Sequence, residues 1–109
     1  MCRWVDIANV YHLTPGSRRR ETNVYGVAVA VFNIDGEYYA IRDACPHDGG
    51  ELFSGELRGE EIICPRHGEH FSIRTGAMLD WPATEKLDTF PVRVSHGNIQ
   101  VEIEIPEFH

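Results

Sequence analysis

Two short motifs combine a cysteine with a histidine, and their residue types suggest metal chemistry. The first motif, CPH, contains Cys45 and His47, and the second, CPRH, contains Cys64 and His67. The sixteen residues 48–63 lie between them, and glycines follow each motif. Thiolate sulfur and imidazole nitrogen are ligands for both zinc and iron. The four side chains therefore predict a metal centre and leave the choice of metal open.

Two kinds of centre accept two thiolates and two imidazoles. A tetrahedral zinc site takes this set, but it usually groups cysteine with cysteine and histidine with histidine, often on a helix. A 2Fe–2S cluster of mixed ligation has two thiolates on one iron and two imidazoles on the other. If two opposed loops hold such a cluster, each loop must offer one ligand to each iron. Each of the two motifs provides one cysteine and one histidine, which favours the cluster.

The segments that must position these motifs are predicted to be strands joined by turns. Strand-forming runs occupy 3–8, 26–34, 37–43, 60–65, 70–76 and the two halves of 90–105. Asp35-Gly36 predicts one hairpin turn, and His96-Gly97-Asn98 predicts another. Helical periodicity is missing from every stretch of a dozen residues. The fold class is therefore predicted to be all-β, as a small sandwich or a closed sheet.

Length and composition predict one domain spanning 1–109, because the chain has 109 residues, 42% hydrophobic and 25% charged. The net charge of −7 argues against nucleic acid and membrane surfaces as partners and allows steering towards a basic protein. No apolar run approaches the roughly 20 residues that span a bilayer, and the first residues lack signal-peptide features. A cytoplasmic location is expected.

Other residues with chemical potential are predicted to lie outside the centre. Cys2 has no histidine beside it and is expected to be a reduced thiol without a role. Arg18-Arg19-Arg20 is expected in a solvated loop, with partner docking as the alternative. Trp81-Pro82 is expected either to cover the centre or to pack in the core. The remaining histidines are assigned no role: His12, His70, His96 and His109.

The longer motifs CPHDGG and CPRHGEHF resemble the two cluster-binding loops of Rieske proteins, in particular the bacterial Rieske ferredoxins of ring-hydroxylating dioxygenase systems. The segment Phe71 to Gly76, the Pro82 region and the FPV sequence extend this resemblance over most of 26–105. It implies three antiparallel sheets, with a cluster-binding subdomain at about 43–82 on a base formed by 1–42 and 83–109. It also implies one Rieske 2Fe–2S cluster, with Cys45 and Cys64 on one iron and His47 and His67 on the other.

The sequence departs from the respiratory-chain branch of the resembled family. Proteins of that branch carry an additional cysteine in each loop, joined as a disulfide, whereas Gly50 and Arg66 occupy those places here. They also carry a serine and a tyrosine that bond cluster sulfurs, whereas Glu69 and Phe71 stand there. The resemblance is therefore to the soluble ferredoxin type.

Four protein ligands would leave the cluster no open position for substrate, so the expected function is one-electron transfer and not catalysis. The resemblance implies a flavoprotein reductase as electron donor and a terminal oxygenase as acceptor. One alternative is the small Rieske subunit of an assimilatory nitrite reductase, whose partner is the large subunit. A remote alternative is a structural zinc module that binds protein.

Overall fold

In a computed structural model that describes residues 1–105, the chain is built from antiparallel β-strands and one 3-10 turn at Val10–His12. The strands are β1 Cys2–Asn9, β2 Arg18–Val24, β3 Val27–Ile34, β4 Glu37–Arg42, β5 Leu57–Arg58, β6 Glu61–Ile63, β7 His70–Ser72, β8 Thr89–Phe90, β9 Val92–Ser95 and β10 Asn98–Glu104. No α-helix occurs within the described residues, which agrees with the all-β prediction.

The strands form three sheets, in the orders β1-β10-β9, β2-β3-β4-β8 and β5-β6-β7. The three antiparallel sheets implied by the resemblance are thereby confirmed. Two hairpins turn where the sequence predicts. Asp35 and Gly36 have φ of 53° and 90°, and His96 and Gly97 have φ of 51° and 77°. Positive φ at both turn residues matches the twist of the flanking strands, which explains these tight connections.

The central strand β3 is buried on both faces, which explains its unbroken apolar sequence. Val29 and Val31 point into a core shared with β1 and β10, where they pack with residues such as Ile99. Ala30 and Phe32 point into a second core that lies towards the third sheet. That second core also contains the two motif cysteines, so the predicted metal centre is built onto the hydrophobic interior.

The prediction of a loop for Arg18-Arg19-Arg20 is wrong, because these residues begin the edge strand β2. The sequence does not reveal this strand, because its residues are charged and not apolar. Two of the three arginines bind polar groups in the interior. Arg18 Nη1 donates to the carbonyl oxygens of Phe53 at 2.7 Å and Gly55 at 2.8 Å. Arg20 pairs with the buried carboxylate of Asp43. β2 therefore braces the chain on either side of the first motif.

Two predictions reach beyond these sheets. His109 lies outside residues 1–105, so the expectation about it has no structural counterpart, and the base and subdomain boundaries at 42/43 and 82/83 stay predictions. Among the described residues, no helix has the length and apolar character needed to cross a membrane.

Candidate metal centre

The first motif forms a closed turn over residues 45–50, which we call the first loop. The N–H of Cys45 donates to the carbonyl oxygen of Gly50 at 2.7 Å, and the N–H of Gly49 donates to the carbonyl oxygen of Cys45 at 2.8 Å. Gly49 has a φ of 73°, in the left-handed region that glycine adopts without steric strain. These two hydrogen bonds join the ends of the loop and fix Cys45 at its start.

The second motif forms the same turn over residues 64–69, which we call the second loop. The N–H of Cys64 donates to the carbonyl oxygen of Glu69 at 2.9 Å, and the N–H of Gly68 donates to the carbonyl oxygen of Cys64 at 2.9 Å. Gly68 has a φ of 76°. The two loops are therefore equivalent in backbone structure, residue by residue from their cysteines.

The two cysteine sulfurs meet where the loops begin. Cys45 is 2% exposed and Cys64 is 1% exposed, and their Sγ atoms lie 3.6 Å apart as free thiols. A tetrahedral metal with metal–sulfur bonds of about 2.3 Å holds two sulfurs about 3.8 Å apart. The observed pair thus fits two ligands of a single metal ion.

The surroundings of Cys45 shift the pKa of its thiol in opposite directions. Burial is the larger influence, and it raises the pKa of the Cys45 thiol. Backbone N–H groups of His47 and Asp48 point at the sulfur and oppose this change. Metal binding requires the thiolate, and the same N–H groups would then face an anionic sulfur.

The two histidines lie side by side at the outer part of the loops. The ring centroids of His47 and His67 are 5.5 Å apart with 43° between the ring planes, and the side chains are 43% and 42% exposed. Ligand atoms of Cys45, Cys64 and His67 all lie within 4.8 Å of one another. His47 stands outside this group of three. The structure therefore brings three predicted ligands together directly and places the fourth beside them.

A carboxylate lies between the imidazoles. Glu69 Oε1 is 3.3 Å from His47 Nδ1, and Glu69 Oε2 is 3.9 Å from His67 Nδ1. Oε2 is buried and has no hydrogen-bond partner among residues 1–105. An unpartnered buried carboxylate oxygen is unfavourable unless a positive group compensates it. Two buried sulfurs, two adjacent imidazoles and this oxygen together fit a metal-containing group held between the loops.

The choice between zinc and an iron–sulfur cluster is decided by comparison with known families. The family model for the Rieske [2Fe-2S] domain matches residues 3–91. The chain belongs to this family. Its cofactor is the Rieske [2Fe–2S] cluster, and the zinc alternative is not supported.

Rieske proteins of known role align along most of the chain. The ferredoxin component of a naphthalene 1,2-dioxygenase system from Pseudomonas aeruginosa is 31% identical over 101 residues, which are 93% of this chain and 96% of the relative. A chain from the complex of reduced oxygenase and oxidized ferredoxin in carbazole 1,9a-dioxygenase superposes with a TM-score of 0.82 at 34% identity, covering 90% of this chain and 91% of that one.

A candidate NADH-dependent nitrite reductase small subunit from Mycobacterium tuberculosis has a similar Rieske structure. It superposes with a TM-score of 0.81 at 26% identity, covering 97% of this chain and 99% of that chain. The fold is thus shared between proteins named for two different electron-transfer systems.

The Rieske loops also make a contact that sequence reasoning missed. Arg66 of the second loop donates from Nε to Asp48 Oδ2 at 2.6 Å and from Nη2 to Asp48 Oδ1 at 3.2 Å. Hydrogen bonding from Arg66 lowers the pKa of the Asp48 carboxyl to about 2, so it is ionised at neutral pH. Arg66 is two residues after its cysteine, like His47, and Asp48 is three residues after its own, like His67. That positional equivalence was the available signal.

The predictions for His70 and for Trp81 have different outcomes. His70 opens β7 as a half-buried strand residue, as predicted. Trp81 is 93% exposed, so the prediction that it packs in the core is wrong. Phe71 pairs with Met78, and the N–H of Leu79 donates to the carbonyl oxygen of His70 at 2.8 Å. This pairing places Leu79 beside the first residue of β7.

Proposed function

We propose that this chain is a one-electron carrier whose [2Fe–2S] cluster is held by Cys45, Cys64, His47 and His67, the two cysteines on one iron and the two histidines on the other. The observation that carries the proposal is the polarity of the site. Both sulfurs are buried in the core, whereas both imidazoles are more than two-fifths exposed. A partner protein can therefore reach the histidine side and not the cysteine side.

The chain's own residues would bind the cluster, orient it and shield it from water. When bound, the cluster takes up and returns a single electron. The four side chains would fill its coordination, which leaves no place for a substrate. The buried core around Cys45 and Cys64, including Phe71 and Ile62, excludes water from the sulfur side. A cluster whose coordination is complete supports electron transfer over catalysis.

Exposed apolar side chains support transient docking. Leu79 and Trp81 are exposed at 50% and 93%, and Leu79 lies beside His70, the residue that follows the second loop. A few exposed apolar side chains beside charged ones are typical of small interfaces, which dissociate quickly enough for a shuttle to turn over. The net charge of −7 favours a basic docking face on each partner.

The partners that fit are a flavoprotein reductase as donor and a terminal oxygenase as acceptor. Two likenesses support the oxygenase, namely the relative named for a naphthalene dioxygenase system and the structural neighbour named for an oxygenase–ferredoxin complex. The reductase is the donor that a one-electron carrier to an oxygenase requires. We also propose a cytoplasmic location for the chain.

A second candidate function is supported by the neighbour named as a nitrite reductase small subunit. In that case the chain would be a lasting subunit of a larger enzyme, and the exposed Leu79 and Trp81 would be covered permanently.

The ligand assignment is tested by four single alanine variants of histidine, with the visible and EPR spectra of the dithionite-reduced protein as the readout. His47→Ala and His67→Ala are each expected to abolish the Rieske signal, because each removes half the imidazole ligands. His70→Ala and His96→Ala are the matched controls and are expected to keep it. Retention of the signal in His67→Ala together with its loss in His70→Ala would overturn the assignment.

The two partner systems are separated by assembly state and turnover. The holoprotein is mixed with an NADH-dependent flavoprotein reductase and an aromatic-ring oxygenase, or with a nitrite reductase large subunit. Oxygenase turnover that depends on this chain, without a complex stable to gel filtration, supports the first function. A complex with the large subunit that survives gel filtration, with nitrite-dependent NADH oxidation, supports the second.

A further inference from the structure

Arg66 and Asp48 connect the two loops beside His67. The guanidinium forms a forked contact with the carboxylate through Nε and Nη2, at 2.6 and 3.2 Å. A third donor, Nη1, bonds the carbonyl oxygen of Glu51 at 2.9 Å. Asp48 in turn accepts from the N–H of Gly50 at 2.8 Å. One arginine of the second loop thus donates to three oxygen atoms, two on Asp48 of the first loop and one on Glu51, the residue that follows that loop.

Gly50 makes this contact possible. A Cβ built at this position would lie 2.6 Å from Cζ of Arg66 and 2.7 Å from its Nη2. No positive φ requires a glycine there. The absence of a side chain at position 50 therefore leaves room for the guanidinium to lie close to the backbone in this arrangement.

The contact also touches the metal centre. Arg66 Nη2 lies 3.8 Å from Cys64 Sγ, and Asp48 Oδ2 lies 3.7 Å from His67 Nδ1. The two side chains are only 35% and 30% exposed. Charges at this distance from a group that gains an electron change the stability of its reduced form.

We propose that Arg66 and Asp48 form a non-covalent clasp that holds the two loops closed around the cluster, and that their charges tune its potential in opposite directions. Ordinary surface ion pairs between flexible side chains contribute little. This pair differs because the guanidinium is fixed by several hydrogen bonds and lies against bare backbone. Both residues are positioning residues and not ligands. The inference rests on the proposed ligand set, since it concerns how the loops carrying those ligands stay together.

The clasp is tested in the holoprotein with Arg66→Gln, Asp48→Asn and the double variant. Cluster loss is followed as the decay of visible absorbance in the presence of an iron chelator. Arg66→Gln is expected to speed the loss about tenfold, as for a lost hydrogen-bonded charge pair. Asp48→Asn should speed it less, because the amide still accepts one hydrogen bond. The double variant should lose its cluster no faster than Arg66→Gln, because one contact is removed in all three.

Potential measurements separate a clasp from a merely structural effect. Reduction adds negative charge to the cluster, so removing the cation in Arg66→Gln should lower the potential. Removing the anion in Asp48→Asn should raise it, although both variants lose the cluster faster. The matched control is Arg58→Gln, which removes the same charge from an arginine that pairs only with exposed Glu56. It should leave the rate of loss unchanged.

The outcomes distinguish failure of the clasp from failure of the proposed function. A wild-type protein without a Rieske EPR signal contradicts the proposed function itself. A wild-type protein with that signal, and an Arg66→Gln variant that loses its cluster at the wild-type rate, contradicts the clasp alone. Fully additive single effects in the double variant, or potentials that shift in the same direction, also overturn it.

Discussion

The first and second loops have the same backbone turn but differ in the side chains that they project. In each, the cysteine N–H bonds the carbonyl five residues on, and a glycine four residues on bonds back to the cysteine carbonyl. At two residues after the cysteine stand His47 and Arg66, and at three residues after it stand Asp48 and His67. Each histidine meets the other, and the arginine meets the aspartate.

The difference shows how one turn, used twice, builds an asymmetric site. Because the loops face each other, the residue two after the cysteine of one loop lies against the residue three after the cysteine of the other. That relation occurs twice across the site. One occurrence carries two imidazoles, and the other carries an ion pair. Ligand geometry is therefore specified by which of two neighbouring positions holds the histidine, and the predictions that follow test this comparison.

The largest effect is expected from moving one histidine by one residue. In the variant Arg66→His with His67→Arg, the second loop keeps its composition but carries its histidine at the same position as the first loop. The imidazole then points towards the place of Arg66, away from His47. We expect complete loss of the Rieske EPR signal.

The single variant Arg66→His is the control for that exchange. It keeps His67 in place, so the signal should persist even though the ion pair is lost. Retention of the signal in the exchanged protein would show that position within the loop does not specify the ligands.

A smaller effect is expected from the support that only the first loop has. Asp43 precedes this loop, is buried with no exposed side-chain surface, and pairs with Arg20 of β2. It also accepts from the N–H groups of Leu52 and Phe53 at 2.7 and 2.9 Å. Arg20→Gln leaves a buried carboxylate without its cation, and we expect the free energy of unfolding to fall by about 2–3 kcal/mol.

Arg19→Gln is the matched control, because Arg19 is the next residue in β2 and pairs only with Glu21 at the surface. Its effect should stay within about 0.5 kcal/mol. Guanidinium denaturation followed by circular dichroism measures both. Equal effects of the two variants would show that the first loop does not depend on β2.

We expect the free energy of unfolding to fall by about 1 kcal/mol when the equivalent glycine of either loop is replaced by alanine, because alanine is strained in the left-handed region. Gly49 and Gly68 have nearly equal φ, and a Cβ at either would meet no atom within 4 Å. Gly49→Ala and Gly68→Ala should therefore destabilise the protein equally, as measured by denaturant midpoints at constant cluster content. Clearly unequal losses would mean that the loops are less alike than their hydrogen bonds indicate.

The smallest effect is expected on the potential from Glu69. This carboxylate faces both imidazoles, and its negative charge opposes the uptake of an electron. Phe71, which is fully buried nearby, has no hydroxyl to donate to sulfur. We expect a native potential near the low end of the range of about −150 to +300 mV for Rieske centres.

Glu69→Gln should raise that potential by about 30–60 mV, which is a roughly three- to tenfold change in the one-electron equilibrium. Glu56→Gln removes the same charge from an exposed residue immediately before β5. It should leave the potential almost unchanged. Protein-film voltammetry at pH 7 measures both, and a native potential above about +100 mV would contradict the account.

Sequence reasoning predicted the elements whose pattern is local. The doubly buried β3 and the hairpin turns at Asp35-Gly36 and His96-Gly97 follow from runs of apolar residues and from turn chemistry. The strand β2 was missed because Arg18 and Arg20 bond groups distant in sequence. Hydrophobic periodicity in the sequence indicates buried apolar side chains. It cannot indicate a strand whose inward-facing residues are cations.

The same limit applies at the metal centre. Residue types and spacing singled out the cysteine–histidine pairs, since ligand chemistry is legible in the sequence. The partnership of Arg66 with Asp48 depends on the two loops facing each other, which becomes visible only in three dimensions. The exposure of Trp81 was equally hidden, because an aromatic residue before proline is compatible with both a core and a surface position.

The closeness of the two buried sulfurs sets two reactions in competition, disulfide formation and cluster binding. At 3.6 Å, Cys45 and Cys64 are near enough that an oxidant reaching them before iron would join them to each other after a small movement. A chain closed in that way has no thiolates left for a cluster. Their burial slows access by oxidants, and so helps to keep both thiols reduced until iron binds them.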